Sequence, residues 1–328
     1  MIGATRTSLI GVVAVLVLLH AAITVGPLTS RRPVCASGHG VYAGAAAPDE
    51  VAAFEEWTGA SVGCVEDFLS SSSWADISEP TWWISRWARA KEWHPLVLSV
   101  PLLPDVGADL RSGAEGAYDE HFAKLAELLV RNNFSDATIR LGWEFNGGEF
   151  PWAVLPGGGP DGTRTADNFI AYWRRVVMTM RSTSGAHFTF DWSVNNGKNI
   201  VDAETAYPGD EFVDIVGIDA YDQVWGPDSG QVEDPVQRWL AISKGTHNLD
   251  WWAEFARSHG KSVSVAEWGL IGGGHGGGDN PYYVEHILSW AKENRAAYEI
   301  YLNAARSLLL PSSYPEAAEA YTKNISRT

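Results

Sequence analysis

Ile139-Arg140-Leu141-Gly142-Trp143-Glu144-Phe145-Asn146-Gly147 is the stretch on which the reading of this chain turns. It is an apolar run of strand character that ends in a glutamate beside a tryptophan, with glycines close by. Val263-Ser264-Val265-Ala266-Glu267-Trp268-Gly269 repeats the pattern farther along. A charged residue closing an otherwise buried strand is costly unless that strand end is open to solvent, and parallel α/β barrels collect their active-site groups at such ends. Two glutamates so placed point to an enzyme that works with paired carboxylates.

Outward from these segments, strand-like and helix-like runs alternate without a long low-complexity linker, which argues for a parallel sheet wrapped by helices. Strands are expected at 34–42, 61–68, 96–102, 138–143, 187–194, 212–221, 262–267 and 298–303. Eight is the number that a closed (β/α)8 TIM barrel of the α/β class requires. Helices are expected at 118–131, with Phe122, Leu125, Leu128 and Leu129 on one face, and at 167–181, 249–259 and 281–292, with Asp167 and Asp279 at or near N-caps. Counting elements puts Glu144 at the end of the fourth strand and Glu267 at the end of the seventh, which face each other across a barrel mouth. The glycine-rich stretches 156–162 and 272–278 follow those strands and would either border the site or serve as flexible filler. Neither carries the lysine of a phosphate-binding loop.

With 328 residues and 45% hydrophobic content, the chain suits one barrel of about 250 residues plus an N-terminal extension. The division expected is 1–30, a signal peptide or membrane anchor, and 31–328, a single catalytic domain. Residues 9–25 are apolar apart from His20 and Thr24, and are followed by Pro27, Arg31 and Arg32. Such a segment implies an exported domain, either released or tethered to a membrane and facing outward. A net charge of −16 argues against nucleic acid and acidic membrane surfaces as partners. The two cysteines, Cys35 and Cys64, are either a disulfide that closes a loop of about 30 residues and contributes ~3–4 kcal/mol, or two buried thiols. No Cys or His cluster has ligand spacing, so neither a metal nor a cofactor is expected. Oligomeric state is not legible.

Breaking a glycosidic bond takes a proton donor for the leaving oxygen and a second carboxylate at the anomeric carbon, roles that suit Glu144 and Glu267. A separation of about 5–5.5 Å between them would retain the anomeric configuration, and roughly 6.5–9.5 Å would invert it. The competing account is a structural ion pair at a strand end, involving Arg140. Glu149 and Asp222 are acidic and close to these motifs but end no strand. Sixteen tryptophans exceed what packing needs, and flat amphipathic rings stack on pyranose faces, so Trp143, Trp152, Trp192, Trp225 and Trp268 are candidate sugar platforms, Trp268 and Trp152 foremost. The pairs Trp82-Trp83 and Trp251-Trp252 are assigned to packing helices on the barrel.

In these segments the chain resembles the clan of retaining (β/α)8 glycoside hydrolases with glutamates on strands four and seven, and within it glycoside hydrolase family 26, the β-mannanases. Arg140, Glu144, Asn146 and Gly147 match the family's fourth-strand pattern, and Phe150-Pro151-Trp152 resembles the aromatic cluster after it. Asp191-Trp192-Ser193-Val194-Asn195, Val213 to Asp222 and Ala266-Glu267-Trp268-Gly269 resemble its fifth, sixth and seventh strands. The likeness spans about 34–303, with the motifs confined to strands four to seven. It implies Glu144 as general acid/base, Glu267 as nucleophile, and Tyr221 donating a hydrogen bond to Glu267. Arg140 either orients carboxylates in the mouth or makes a helix-facing salt bridge. Asn146 and Asn195 would hold sugar hydroxyls, against turn capping as the alternative for Asn146. Trp143 stands where the family usually has histidine, so the implied substrate is a β-mannan or another glycan such as a β-glucan, a xylan or a cell-envelope polysaccharide. A glycan-binding barrel without catalysis is the remaining alternative.

Overall fold

The computed structural model describes residues 1, 34–90, 94–224, 232–304 and 313–325; apart from Met1, the segment expected to be a signal or anchor lies outside the described residues, as does Trp225. Eight strands follow in order: β1 (His39–Tyr42), β2 (Cys64–Phe68), β3 (Leu96–Val100), β4 (Thr138–Leu141), β5 (Thr189–Asn195), β6 (Ile215–Asp222), β7 (Ser262–Leu270) and β8 (Glu299–Leu302). Each pairs in parallel with the next, and β8 closes on β1, so the (β/α)8 barrel expected from the sequence is the fold. The helices are α1 (Pro48–Thr58), α2 (Trp74–Ser78), α3 (Thr81–Trp87), α4 (Leu110–Ala114), α5 (Asp119–Arg131), α6 (Ala166–Arg181), α7 (Pro235–Ser243), α8 (Leu249–Ser258), α9 (Pro281–Glu293) and α10 (Pro315–Ile325).

At the end of β4 a glycine sets the difference from expectation. β4 stops at Leu141 because Gly142 turns left-handed (φ +57), where a Cβ would also sit 2.5 Å from a Leu102 methyl. Thr165 and Asn280 cap α6 and α9, so Asp167 lies in a first turn instead. Asp279 accepts the N–H groups of Glu316 and Ala317 and so serves the start of α10.

The core lies between barrel and helices, where α5 buries Phe122, Leu125 and Leu129 and α6 buries Phe169, Trp173, Val176 and Val177. Each such side chain contributes about 1.5–3 kcal/mol by leaving water. Inside the barrel, the N-terminal end is plugged by Cys35, Cys64, Val97, Ile215, Ala266, Tyr298 and Ile300. Cys35 and Cys64 are joined by a disulfide there. Above the plug, Asp191 accepts hydrogen bonds from Ser193 (2.7 Å), Ser264 (2.8 Å) and Tyr298 (2.5 Å).

Strand β7 carries the feature that shapes the mouth. Val265 pairs with Ile218 but Glu267 pairs with Asp219, leaving Ala266 as an extra residue, a β-bulge. Ser264 faces into the barrel, so strict alternation would turn Ala266 in and Glu267 out. The extra residue shifts the phase, and both Ala266 and Glu267 face inward.

Candidate active site

Arg140, fully buried on β4, organises the C-terminal mouth. Its Nη1 contacts Glu66 Oε1 on β2 (2.9 Å) and Glu267 Oε1 on β7 (2.6 Å) and donates to Ser99 on β3 (2.9 Å); its Nη2 pairs with Asp219 on β6, and its Nε donates to Ser193 on β5 (2.9 Å). The guanidinium lies over the rings of Phe68 and Trp143, 5.7 Å from each centroid. The helix-facing alternative for Arg140 is thereby excluded. Burial pushes the carboxyls of Glu66 and Asp219 well above the usual range, against the downward pull of Arg140. Each of these two groups keeps one oxygen, Oε2 and Oδ1, without a hydrogen-bond partner among the described residues.

Glu267 is held at both oxygens, since Tyr221 donates to Oε2 at 2.6 Å while Arg140 holds Oε1. Glu144 sits past the end of β4 with φ +50, left-handed backbone that is rare outside glycine and costs roughly 1–2 kcal/mol. Its amide donates to the Ser193 carbonyl (3.2 Å), and the Gly147 amide returns to its own carbonyl (3.0 Å), so the strained turn is fixed from both sides. Burial foremost, then the charge of Glu267, raises the Glu144 carboxyl to about 7, with Arg140 opposing. The fold thus brings together one carboxyl inclined to keep its proton and one carboxylate tied to a cation, 123 positions apart in sequence (267 − 144); Glu144 follows the end of β4, whereas Glu267, expected at the end of the seventh strand, lies inside β7, which continues to Leu270.

Asn146 is buried and forms a reciprocal lock. Its Nδ2 donates to the Asn195 carbonyl (3.0 Å) and its Oδ1 accepts the Asn195 amide (2.9 Å), so the sugar-binding role expected of it gives way to fixing the acid-bearing turn. Asn195 itself is half-buried at the end of β5. The aromatic platforms need correcting. Trp192 and Trp268 follow inward-facing Asp191 and Glu267 and therefore point outward, Trp192 against Phe145 and Trp252, Trp268 against Tyr301 and Tyr283. Trp152 is buried on Phe150 and donates to the Trp143 carbonyl (2.8 Å). None of the three has an open face for a sugar. Trp143, 7% exposed and packed against Phe68, Phe150 and Trp152, is a wall of the mouth and not an open platform.

Asp222, expected to end no strand, is the last residue of β6, and it holds Arg238 Nε (2.8 Å) and Asn280 (2.7 Å), a structural role that pins the loop after β7. That loop is not filler, since a Cβ on Gly277 would fall 1.9 Å from Asp222 Oδ2. Glu149 is exposed and touches the site only by raising Glu144 at a distance. The sequence reading passed over Glu66, Asp219, Ser99 and Tyr42; the last is half-buried at the end of β1, its hydroxyl pushed up to about 12 by burial and then by Asp67, Glu66 and Glu267. Two acids inside the apolar run Cys64-Val65-Glu66-Asp67-Phe68 were the signal available for Glu66. A cavity of about 750 Å³ opens at the opposite end of the barrel beside His39 and Glu299, away from the carboxylate pair.

Residues 120–248 match the family described as glycosyl hydrolase family 26, bearing out the resemblance read from the motifs. The matched segment holds Arg140, Glu144, Asp219 and Tyr221 and ends before Glu267. Endoglucanase H of Acetivibrio thermocellus is 26% identical over 184 residues, covering 54% of this chain and 19% of that protein, so the chain spans about a fifth of the length of the curated relative it matches. Among solved structures, Bacillus subtilis mannanase BCman shares the fold with a TM-score of 0.57 at 14% identity, covering 88% of each chain. A Cellulomonas fimi endo-beta-1,4-mannanase double mutant does so with a TM-score of 0.62 at 18% identity, over 89% of this chain and 71% of the other.

Proposed function

We propose, starting from the likeness to glycosyl hydrolase family 26, that this chain is a retaining glycoside hydrolase that cuts internal β-linkages of a polysaccharide, of the β-mannanase kind. The observation that carries the reading is the pairing of Glu144, its carboxyl raised to about 7, with Glu267, held by Arg140 at 2.6 Å and Tyr221 at 2.6 Å. Glu144 donates its proton to the departing glycosidic oxygen as Glu267 attacks the anomeric carbon. Glu144 then takes a proton from the water that releases the sugar from Glu267. Arg140 and Tyr221 hold the attacking oxygens in place, and the desolvation of Glu144, with the charge of Glu267 beside it, keeps the proton on its carboxyl until the leaving oxygen takes it.

A second reading, the same chemistry on a β-glucan, is favoured by Trp143 in place of the family's histidine and by the name of the curated relative, an endoglucanase. Export of the domain, free or tethered through its N-terminal segment, is supported by the apolar run at 9–25 and by the Cys35–Cys64 disulfide, a bond at home in oxidising compartments.

The test is product release from β-mannan, galactomannan, mixed-linkage β-glucan, xylan and cell-envelope glycans, with Glu267→Ala as control and the anomer formed first read by NMR. Cleavage by the wild type alone, with the β-anomer first, is expected on one of these. Undiminished cleavage by Glu267→Ala, or the α-anomer first, refutes the mechanism.

A further inference from the structure

Trp82, on α3, was expected to pack a helix onto the barrel. Its neighbours do so: Trp83 and Trp87 each donate an indole N–H to Asp67 on β2, both at 2.7 Å. That arrangement fixes α3 rigidly and turns Trp82 the other way, 64% exposed, the most exposed tryptophan among the described residues. Trp82 thus leaves a large aromatic face open to solvent, and it does so at the edge of a cavity instead of alone on a flat surface.

Trp82 borders a cavity of about 360 Å³ whose other walls include Phe68, Ala45, Ser70, Asp76 and Glu79. Among the described residues no cation lines it, and its polar members are acceptors and hydroxyls, the chemistry that suits a neutral, polyhydroxylated ligand. Phe68 is shared between the cavity and the mouth, since its ring lies 5.4 Å from that of Trp143 and under the Arg140 guanidinium. Ala45 and Ser70 come from the segments that follow β1 and β2, on the same rim as the carboxylate pair.

We propose that Trp82 and this cavity form a distal subsite for the glycan chain, in which the indole stacks on a sugar ring several units from the bond being cut while Asp76 and Glu79 accept hydrogen bonds from its hydroxyls. The inference rests on the glycosidase reading, and it assigns to this site a preference for long chains. Stacking on an open, pre-fixed ring favours affinity without touching the chemical step, so it acts on KM and leaves kcat in place.

The experiment is Trp82→Ala and Trp82→Phe in the full chain, assayed on a ladder of β-1,4-linked manno- and cello-oligosaccharides from short to long, with thermal unfolding as the check on folding. Expected is a rise of about tenfold in KM for long chains, shrinking to nothing for chains too short to reach from the carboxylates to Trp82, partial recovery in Trp82→Phe, and no change in kcat. Equal KM values for wild type and Trp82→Ala at every length overturn the subsite and leave the glycosidase reading intact. Wild-type silence on the whole ladder moves the assay to the glycan that the substrate panel identifies. Silence there as well refutes the glycosidase reading, and the subsite with it.

Discussion

Replacing Glu144 by glutamine separates the catalytic role proposed for this residue from what it costs the fold. Its carboxyl moves from an ordinary 4.5 to about 7 on folding, because the half-buried side chain loses much of its water around the carboxyl and faces Glu267. At about 1.4 kcal/mol per pH unit, that difference is worth roughly 3 kcal/mol. The sign follows from proton counting. Between these two values the folded chain binds a proton that the unfolded chain has released, so the stabilisation is complete below about 4.5 and is lost as pH rises through about 7. Above that, keeping an ionised Glu144 buried costs the fold ~3 kcal/mol relative to glutamine, which stays neutral. Denaturant unfolding of wild type and Glu144→Gln should therefore give similar stabilities near pH 4 and a variant more stable by up to ~3 kcal/mol at pH 8.5, while hydrolysis is lost throughout. In the wild type, kcat/KM should fall on the alkaline side with a midpoint near 7, as the acid loses its proton. Equal wild-type and Glu144→Gln stabilities at pH 8.5, together with an alkaline limb far above 7, would refute the account of a buried acid beside a fixed anion.

Arg140→Met leaves Glu66, Asp219 and Glu267 in the barrel without their cation, so stability should drop by ~3–5 kcal/mol at neutral pH and recover in part on acidification, measured by urea unfolding across pH. Glu66→Gln should be nearly silent at neutral pH, within ~1 kcal/mol by the same measurement, because the neutral amide resembles the protonated carboxyl that burial favours there. Asn146→Ala removes both bonds of the lock to Asn195, and a loss of ~1–3 kcal/mol should accompany a fall in kcat that exceeds any change in KM, as the Glu144 turn loosens. Reducing the Cys35–Cys64 bridge should cost ~3–4 kcal/mol and lower Tm by on the order of 10 °C in calorimetry.

The eight strands and the two mouth glutamates were legible because each strand is a compact apolar run and each glutamate interrupts one. What the sequence could not carry was orientation. Trp192 and Trp268 were taken as sugar platforms from their adjacency to motif residues, yet a strand residue next to an inward-facing one points outward, and both are buried under helices. The bulge at Ala266, which decides that Glu267 points in, depends on the register of β6 against β7 and leaves no local signature in Val263 to Gly269. The Arg140 cluster draws its partners from β2, β3, β5, β6 and β7, so its geometry exists only once the barrel closes. Trp82 was misread for the reverse reason, since its neighbour Trp83 packs and a pair of tryptophans looks like one hydrophobic unit.

Charge balance explains why the two glutamates of the mouth behave differently. One guanidinium faces Glu66, Asp219 and Glu267 in a barrel sealed below by an apolar plug, with Glu144 nearby, and a low-dielectric interior cannot hold four anions against one cation. Geometry decides which carboxyl carries the negative charge. Glu267 receives Arg140 on one oxygen and the Tyr221 hydroxyl on the other, whereas Glu66 and Asp219 each leave one oxygen without a partner among the described residues and are pushed upward by burial. With the anion fixed on Glu267, a further negative charge beside it is disfavoured, and Glu144 keeps its proton up to about 7. The proposed acid and nucleophile are thus set apart by a single buried arginine and by the bulge that turns Glu267 toward it.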